Sequence, residues 1–134
     1  MAKRFAVVIE KGKKDYIATV SRLYGCSARA KTPDVLMKSV TKAVKHYLKV
    51  EKDIVAVDFV GIHVIEVASK KFCAIMEKDM EYFIAYVPSL PGCFTQAETP
   101  NGLIKNIREA AELYLEVKKD NEKVDFVGIQ FVEV

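Results

Sequence analysis

The chain has 134 residues, 51% of them apolar and 29% charged, with a net charge of +3 and three cysteines. This length allows one or two domains. No apolar run approaches a membrane span, and the start MAKRFAVVIEKGKK lacks the long apolar stretch of a secretory signal, so a cytoplasmic protein without membrane contact is expected. Cys26, Cys73 and Cys93 have neither metal-ligand spacing nor an even disulfide framework; small buried hydrophobes are the expected role.

In chain order, the first apolar run is Phe5–Ile9, ending in Glu-Lys. A polar turn, Gly12-Lys13-Lys14, leads to the mixed β-branched and aromatic run Tyr16–Val20, and two such runs read as a β-hairpin. Leu23-Tyr24-Gly25-Cys26 reads as a turn whose glycine supplies backbone freedom, followed by a third strand over Ser27–Ala30. Thr32-Pro33 places a capping hydroxyl before a proline at the first helical position, where the missing N–H costs nothing. Leu36, Val40, Ala43, Val44, Tyr47 and Leu48 then fall on one helical stripe, and the helix is expected to fade near Lys52-Asp53. Val57–Val67 reads as a final strand. Simple alternation puts Val57, Phe59, Gly61, Ile65 and Val67 on one face and Val60, Ile62 and Val64 on the other, so both faces are apolar and need cover.

From Phe72 the same order returns at a constant offset of 67, with 28 of 63 paired positions identical and no gap. Phe72–Met76 and Phe83–Val87 repeat the hairpin around Asp79-Met80-Glu81; Leu90-Pro91-Gly92-Cys93 repeats the turn and Phe94–Ala97 the third strand. Thr99-Pro100 opens a second helix with its stripe at Leu103, Ile107, Ala110, Ala111, Tyr114 and Leu115, fading near Lys119-Asp120; Val124–Val134 closes the copy. The expected architecture is α+β: two tandem βββαβ repeats, residues 1–67 and 68–134, each an antiparallel-rich sheet with one helix, related by an approximate two-fold. Halves of about 65 residues lie near the lower limit for an independent core, so each is expected to bury surface against the other or in a homo-oligomer.

The copies differ in charge. Residues 1–67 hold 13 Lys/Arg against 7 Asp/Glu, whereas residues 68–134 hold 8 against 11. Much of this lies opposite the apolar helix stripes. Lys38, Lys42, Lys45, Lys49 and Lys52 form a basic ridge; their equivalents are Lys105, Glu109, Glu112, Glu116 and Lys119. Either ridge can be a solvated face. Read as binding surfaces, the acidic ridge suits a cationic partner and the basic one phosphate or an acidic protein. The basic ridge lacks interleaved aromatics for base stacking.

The second copy contains FIAYVPSLPGCFTQAETPNGLIKNIREAAELYLE. Its strand ending in Val-Pro88, the Leu90-Pro91-Gly92-Cys93 turn, the polar strand, the capping Thr99, and Asn106, Glu109-Ala110 and Tyr114 in the helix resemble the HicB antitoxin family. That family's domain is a partly degraded RNase H-like fold. The resemblance covers about 45 residues, with Ser89 where the family often has Asp, and Ser21 and Tyr24 where the first copy lacks both prolines. It implies structural roles for these motif residues, no cofactor, and a protein that sequesters a small basic RNA-cleaving toxin of the HicA type by covering its active site. The DNA-binding module that many HicB proteins carry after this domain is not expected, because the sequence stops at Val134. An orphan regulatory or scaffold protein of the same fold is the alternative.

A nuclease ancestry also directs attention to the repeated acids Glu10/Glu77, Asp58/Asp125 and Glu66/Glu133. Two-metal nucleases need several convergent carboxylates. These acids sit near strand ends, where solvated or turn-stabilising roles are expected, and a residual metal-dependent nuclease is the weakest reading. His46 and His63 have Leu113 and Gln130 as counterparts, so neither belongs to a duplicated site. No phosphate loop, nucleophile elbow or zinc spacing is present, and neither catalytic nor metal-binding residues are expected.

Overall fold

The computed structural model describes residues 3–51, 57–118 and 123–134. The element order is β1 (Arg4–Lys11), β2 (Tyr16–Val20), β3 (Ser27–Ala30), α1 (Pro33–Val50), β4 (Asp58–Val67), β5 (Lys70–Lys78), β6 (Phe83–Tyr86), β7 (Phe94–Ala97), α2 (Pro100–Val117) and β8 (Asp125–Glu133). The fold is α+β, with two four-stranded antiparallel sheets that each carry one helix. Both helices start and stop 67 residues apart, each capped by a threonine hydroxyl that accepts from a first-turn N–H: Thr32 from Val35 at 3.3 Å and Thr99 from Gly102 at 3.1 Å. Lys52, Asp53, Lys119 and Asp120, where the helices were expected to fade, lie outside the described residues.

Strand partnering cuts the chain differently from the sequence repeat. The sheet orders are β3-β2-β1-β8 and β4-β5-β6-β7, so the last strand of each half lies in the sheet built by the other half. The compact units are accordingly β1–β3 with α1 and β8, and β4–β7 with α2. The physical reason sits at the junction. Val67 pairs with Lys70 across a two-residue turn, Ala68-Ser69, whose φ angles of 52° and 66° are those of a type I′ hairpin. So tight a reversal commits β4 to β5. The equivalent place in the first unit is taken by Lys3 and Val134, which exchange backbone hydrogen bonds of 2.7 and 2.9 Å.

In the first unit Phe5, Val7 and Ile9 of β1 pack with Leu36, Val40 and Val44 of α1 and Val132 of β8. In the second, Phe72, Ala74 and Met76 of β5 pack with Leu103, Ile107 and Ala111 of α2 and with Ile65 and Val67 of β4. Ala6 and Val8, and Cys73 and Ile75, are buried on the alternate positions, so β1 and β5 are covered on both faces.

The final strands depart from simple alternation. A bulge at Val60 puts Phe59 opposite Glu77 and Gly61 opposite Met76, so Phe59 and Gly61 point to opposite faces instead of sharing one. The identical VDFVG segment does the same in β8, where Phe126 pairs with Glu10 and Gly128 with Ile9. The second face of these strands is covered only in part: Val64, Phe126 and Phe131 are exposed, the last beneath the Arg4 guanidinium at 4.0 Å, while Phe59, Ile62 and Ile129 are half-buried. Among the described residues no helix is long and apolar enough to cross a membrane.

Candidate functional site

The second helix is fixed by its cap, by Pro100 at its start, and by the burial of Leu103, Ile107 and Ala111 against the sheet. Glu109, Glu112 and Glu116 stand on its outward side, exposed, and among the described residues they take part in no ion pair. Lys38, Lys42, Lys45 and Lys49 are exposed in the same way along α1. Each ridge sits on a different unit, and the structure gathers neither into a concave charged site. Their outer members Lys52 and Lys119 lie outside the described residues.

Next to the acidic ridge lies a surface that sequence reasoning missed. A groove of about 380 Å3 runs between the Gly92-Cys93-Phe94 segment and the C-terminal half of α2, where Ala110, Leu113, Tyr114 and Val117 line it and Lys118 stands at its end. Its lining is mostly carbon yet open to water: Phe94 is 59%, Leu113 64% and Val117 84% exposed. At about 100° per residue, Glu109 and Glu116 lie roughly 40–60° from Leu113 around the helix axis, on the side away from Tyr114. The acids therefore border the groove. The equivalent residues of the first unit are Ser27, His46, Val50 and Glu51, beside lysines. Leu113 and Val117 fall off the buried stripe, and that displacement was the available signal.

The motif residues build this region. Leu90 is fully buried; its N–H donates to the Val87 carbonyl at 3.0 Å, the Cys93 N–H to the Leu90 carbonyl at 2.9 Å, and the Val87 N–H to the Cys93 carbonyl at 3.0 Å. Gly92 closes this turn at φ +90°, a conformation that side-chain-bearing residues rarely adopt. Pro91 is exposed and Pro88 half-buried beside it. Asn106 donates from Nδ2 to the Gln96 carbonyl at 3.3 Å, tying α2 to β7. Tyr114 is half-buried, with the Lys118 ammonium 5.8 Å from its ring centre. Gly92, Cys93 and Tyr114 thus become groove walls, while Leu90, Thr99 and Asn106 hold those walls in place. Burial pushes the Cys93 thiol above its ordinary pKa, as it does for Cys26, so both behave as small apolar groups.

The repeated acids divide into two kinds. Asp58, Asp125, Glu66 and Glu133 are exposed, in keeping with solvated roles. Glu10 and Glu77 are not: they are 2% and 3% exposed, and Tyr86 donates its hydroxyl to Glu77 Oε2 at 3.2 Å. The expectation of solvated strand-end acids fails for this pair, because each falls on an alternate strand position whose apolar neighbours, Val8 and Ile75, are themselves buried. Among the described residues no group of three or more His, Cys, Asp or Glu could hold a metal ion.

Residues 72–128 match the family described as HicB-like antitoxin of bacterial toxin-antitoxin system. The chain is also similar to a UPF0150 protein of Archaeoglobus fulgidus, 52% identical over 65 residues, which is 48% of this chain and 94% of that protein. A UPF0150 protein of Thermoplasma acidophilum is 46% identical over 56 residues (40% and 81%), and one of Synechocystis 39% over 66 residues (48% and 96%). The chain belongs to the HicB-like antitoxin family, and each of these relatives spans about one half of it. No solved structure is detectably similar to the chain.

Proposed function

We propose that this protein is a cytoplasmic antitoxin that acts by occlusion and not by chemistry: it binds a small basic RNA-cleaving toxin of the HicA type and covers its active site. On this reading the halves 1–67 and 68–134 descend from one copied module, and the copies have specialised in their outward charge. The carrying observation is the row Glu109, Glu112 and Glu116, exposed and free of ion pairs among the described residues, beside a water-exposed apolar groove on α2. Such a surface attracts a cationic protein at long range and offers it apolar contact on arrival. Family membership supports the same reading, because the matched family is one of antitoxins.

The test is calorimetric titration of the chain with a HicA-like toxin encoded beside it. Tight binding is expected, and Glu109→Lys, Glu112→Lys and Glu116→Lys together should weaken it most at low salt, where surface charges are least screened. Binding unchanged within calorimetric error would remove the acidic ridge from the interface.

A further inference from the structure

We propose that the groove between α2 and the Gly92–Phe94 segment is the docking site for a basic, amphipathic protein segment with a bulky apolar anchor, and that each chain holds one such partner. This rests on the binding role proposed above and adds where the partner is anchored and how many can bind.

Large apolar side chains grouped around one concavity lose favourable burial when left in water. Phe94, Leu113 and Val117 do so here, around a space of about 380 Å3. That volume is at the lower end of the usual ligand-pocket range of about 300–1,000 Å3, which suits a side-chain anchor. Charge selects the occupant. At a rise of about 1.5 Å per residue, Glu109, Glu112 and Glu116 span roughly 10 Å of α2, or two turns. A segment presenting Lys or Arg over a similar length, beside its apolar face, meets both features together. Lys118, the cation among the lining residues, is drawn to the Tyr114 ring and does not reverse that field. Nucleic acid and anionic lipid headgroups are disfavoured by the same carboxylates. The first unit differs at the equivalent place: Ser27 and His46 stand where the second has Phe94 and Leu113, and Lys42, Lys45 and Lys49 where it has the three glutamates, so a basic segment meets repulsion there even though Tyr24 and Val50 are exposed.

The test uses the whole chain, isotope-labelled for NMR, and two synthetic helical peptides with identical apolar positions, one with Lys/Arg and one with Glu at its polar positions. The basic peptide should shift the amides of Phe94, Ala110, Leu113 and Val117 and saturate at one per chain; the acidic peptide should not. Phe94→Ser with Leu113→His, which installs the first unit's residues, should weaken the basic peptide about tenfold or more, with helix content by circular dichroism unchanged. Shifts elsewhere, two peptides per chain, equal response to both peptides, or no response to either would overturn the proposal. A toxin that binds wild type and groove variant equally would overturn it too while leaving the antitoxin reading intact. A basic peptide seated in the groove, with no toxin bound, would do the reverse.

Discussion

Ala68 and Ser69 form the two-residue reversal that commits β4 to β5, and both are held at positive φ although neither is Gly or Asn. The left-handed region costs a side-chain-bearing residue about 1–2 kcal/mol, whereas Asn and Gly enter it routinely. Glycine returns about 0.5–1 kcal/mol of this through the greater freedom of the unfolded chain. Replacing the pair by Asn-Gly, the preferred type I′ sequence, should therefore raise stability by about 1–2 kcal/mol. With a urea dependence of about 1–3 kcal/mol per M for a small protein, the unfolding midpoint should rise by roughly 0.3–2 M. The chain has no Trp, so far-UV circular dichroism is the assay. Ser69→Pro fixes φ near −65° and should lower the midpoint instead. A midpoint unmoved or lowered by Asn-Gly would refute the hairpin, and with it the reason for the exchanged strands.

The Lys3–Val134 pair copies the register of Val67–Lys70, so a permuted chain joined from Val134 to Lys3 through Asn-Gly and opened between Ala68 and Ser69 should fold with the same circular dichroism spectrum. Leu103 is fully buried, and Leu103→Ala should cost about 2–5 kcal/mol by chemical denaturation. Thr99→Ala should cost about 1 kcal/mol through loss of the α2 cap, measured the same way. The Asp79 carboxylate accepts backbone N–H bonds from Tyr82 at 2.6 Å and Glu81 at 2.8 Å, which hold its pKa below the usual carboxylate value. A depressed folded-state value stabilises the fold fully above the ordinary Asp range and loses that effect as pH falls through the lowered value. Urea midpoints of wild type and Asp79→Ala should thus differ at about pH 6 and converge in strong acid.

Both helices, their threonine caps and most strand limits were legible in the sequence because they are local. Thr-Pro and a stripe such as Leu36, Val40 and Val44 specify a helix with no knowledge of its partners. Strand exchange was not legible, because VDFVGI specifies a strand but not which neighbour it takes. The junction that decides it, Ala68-Ser69, has none of the Gly, Asn or Asp that mark a type I′ hairpin. The bulge at Val60 was hidden for a related reason: Phe59-Val60-Gly61 alternates normally on paper, and only the register against Met76 and Glu77 reveals the extra residue. At the candidate site the charges of Glu109, Glu112 and Glu116 were plain from helical spacing. The groove needed tertiary structure, because Phe94 reaches α2 from a different element.

The most direct measurement of the proposed role is RNA cleavage by the HicA-like toxin, followed as this chain is titrated in. Cleavage should stop at one chain per toxin and return when Glu109, Glu112 and Glu116 are all lysine. Cleavage that persists under excess chain, or that the triple variant suppresses as well as wild type does, would contradict sequestration through this face of α2.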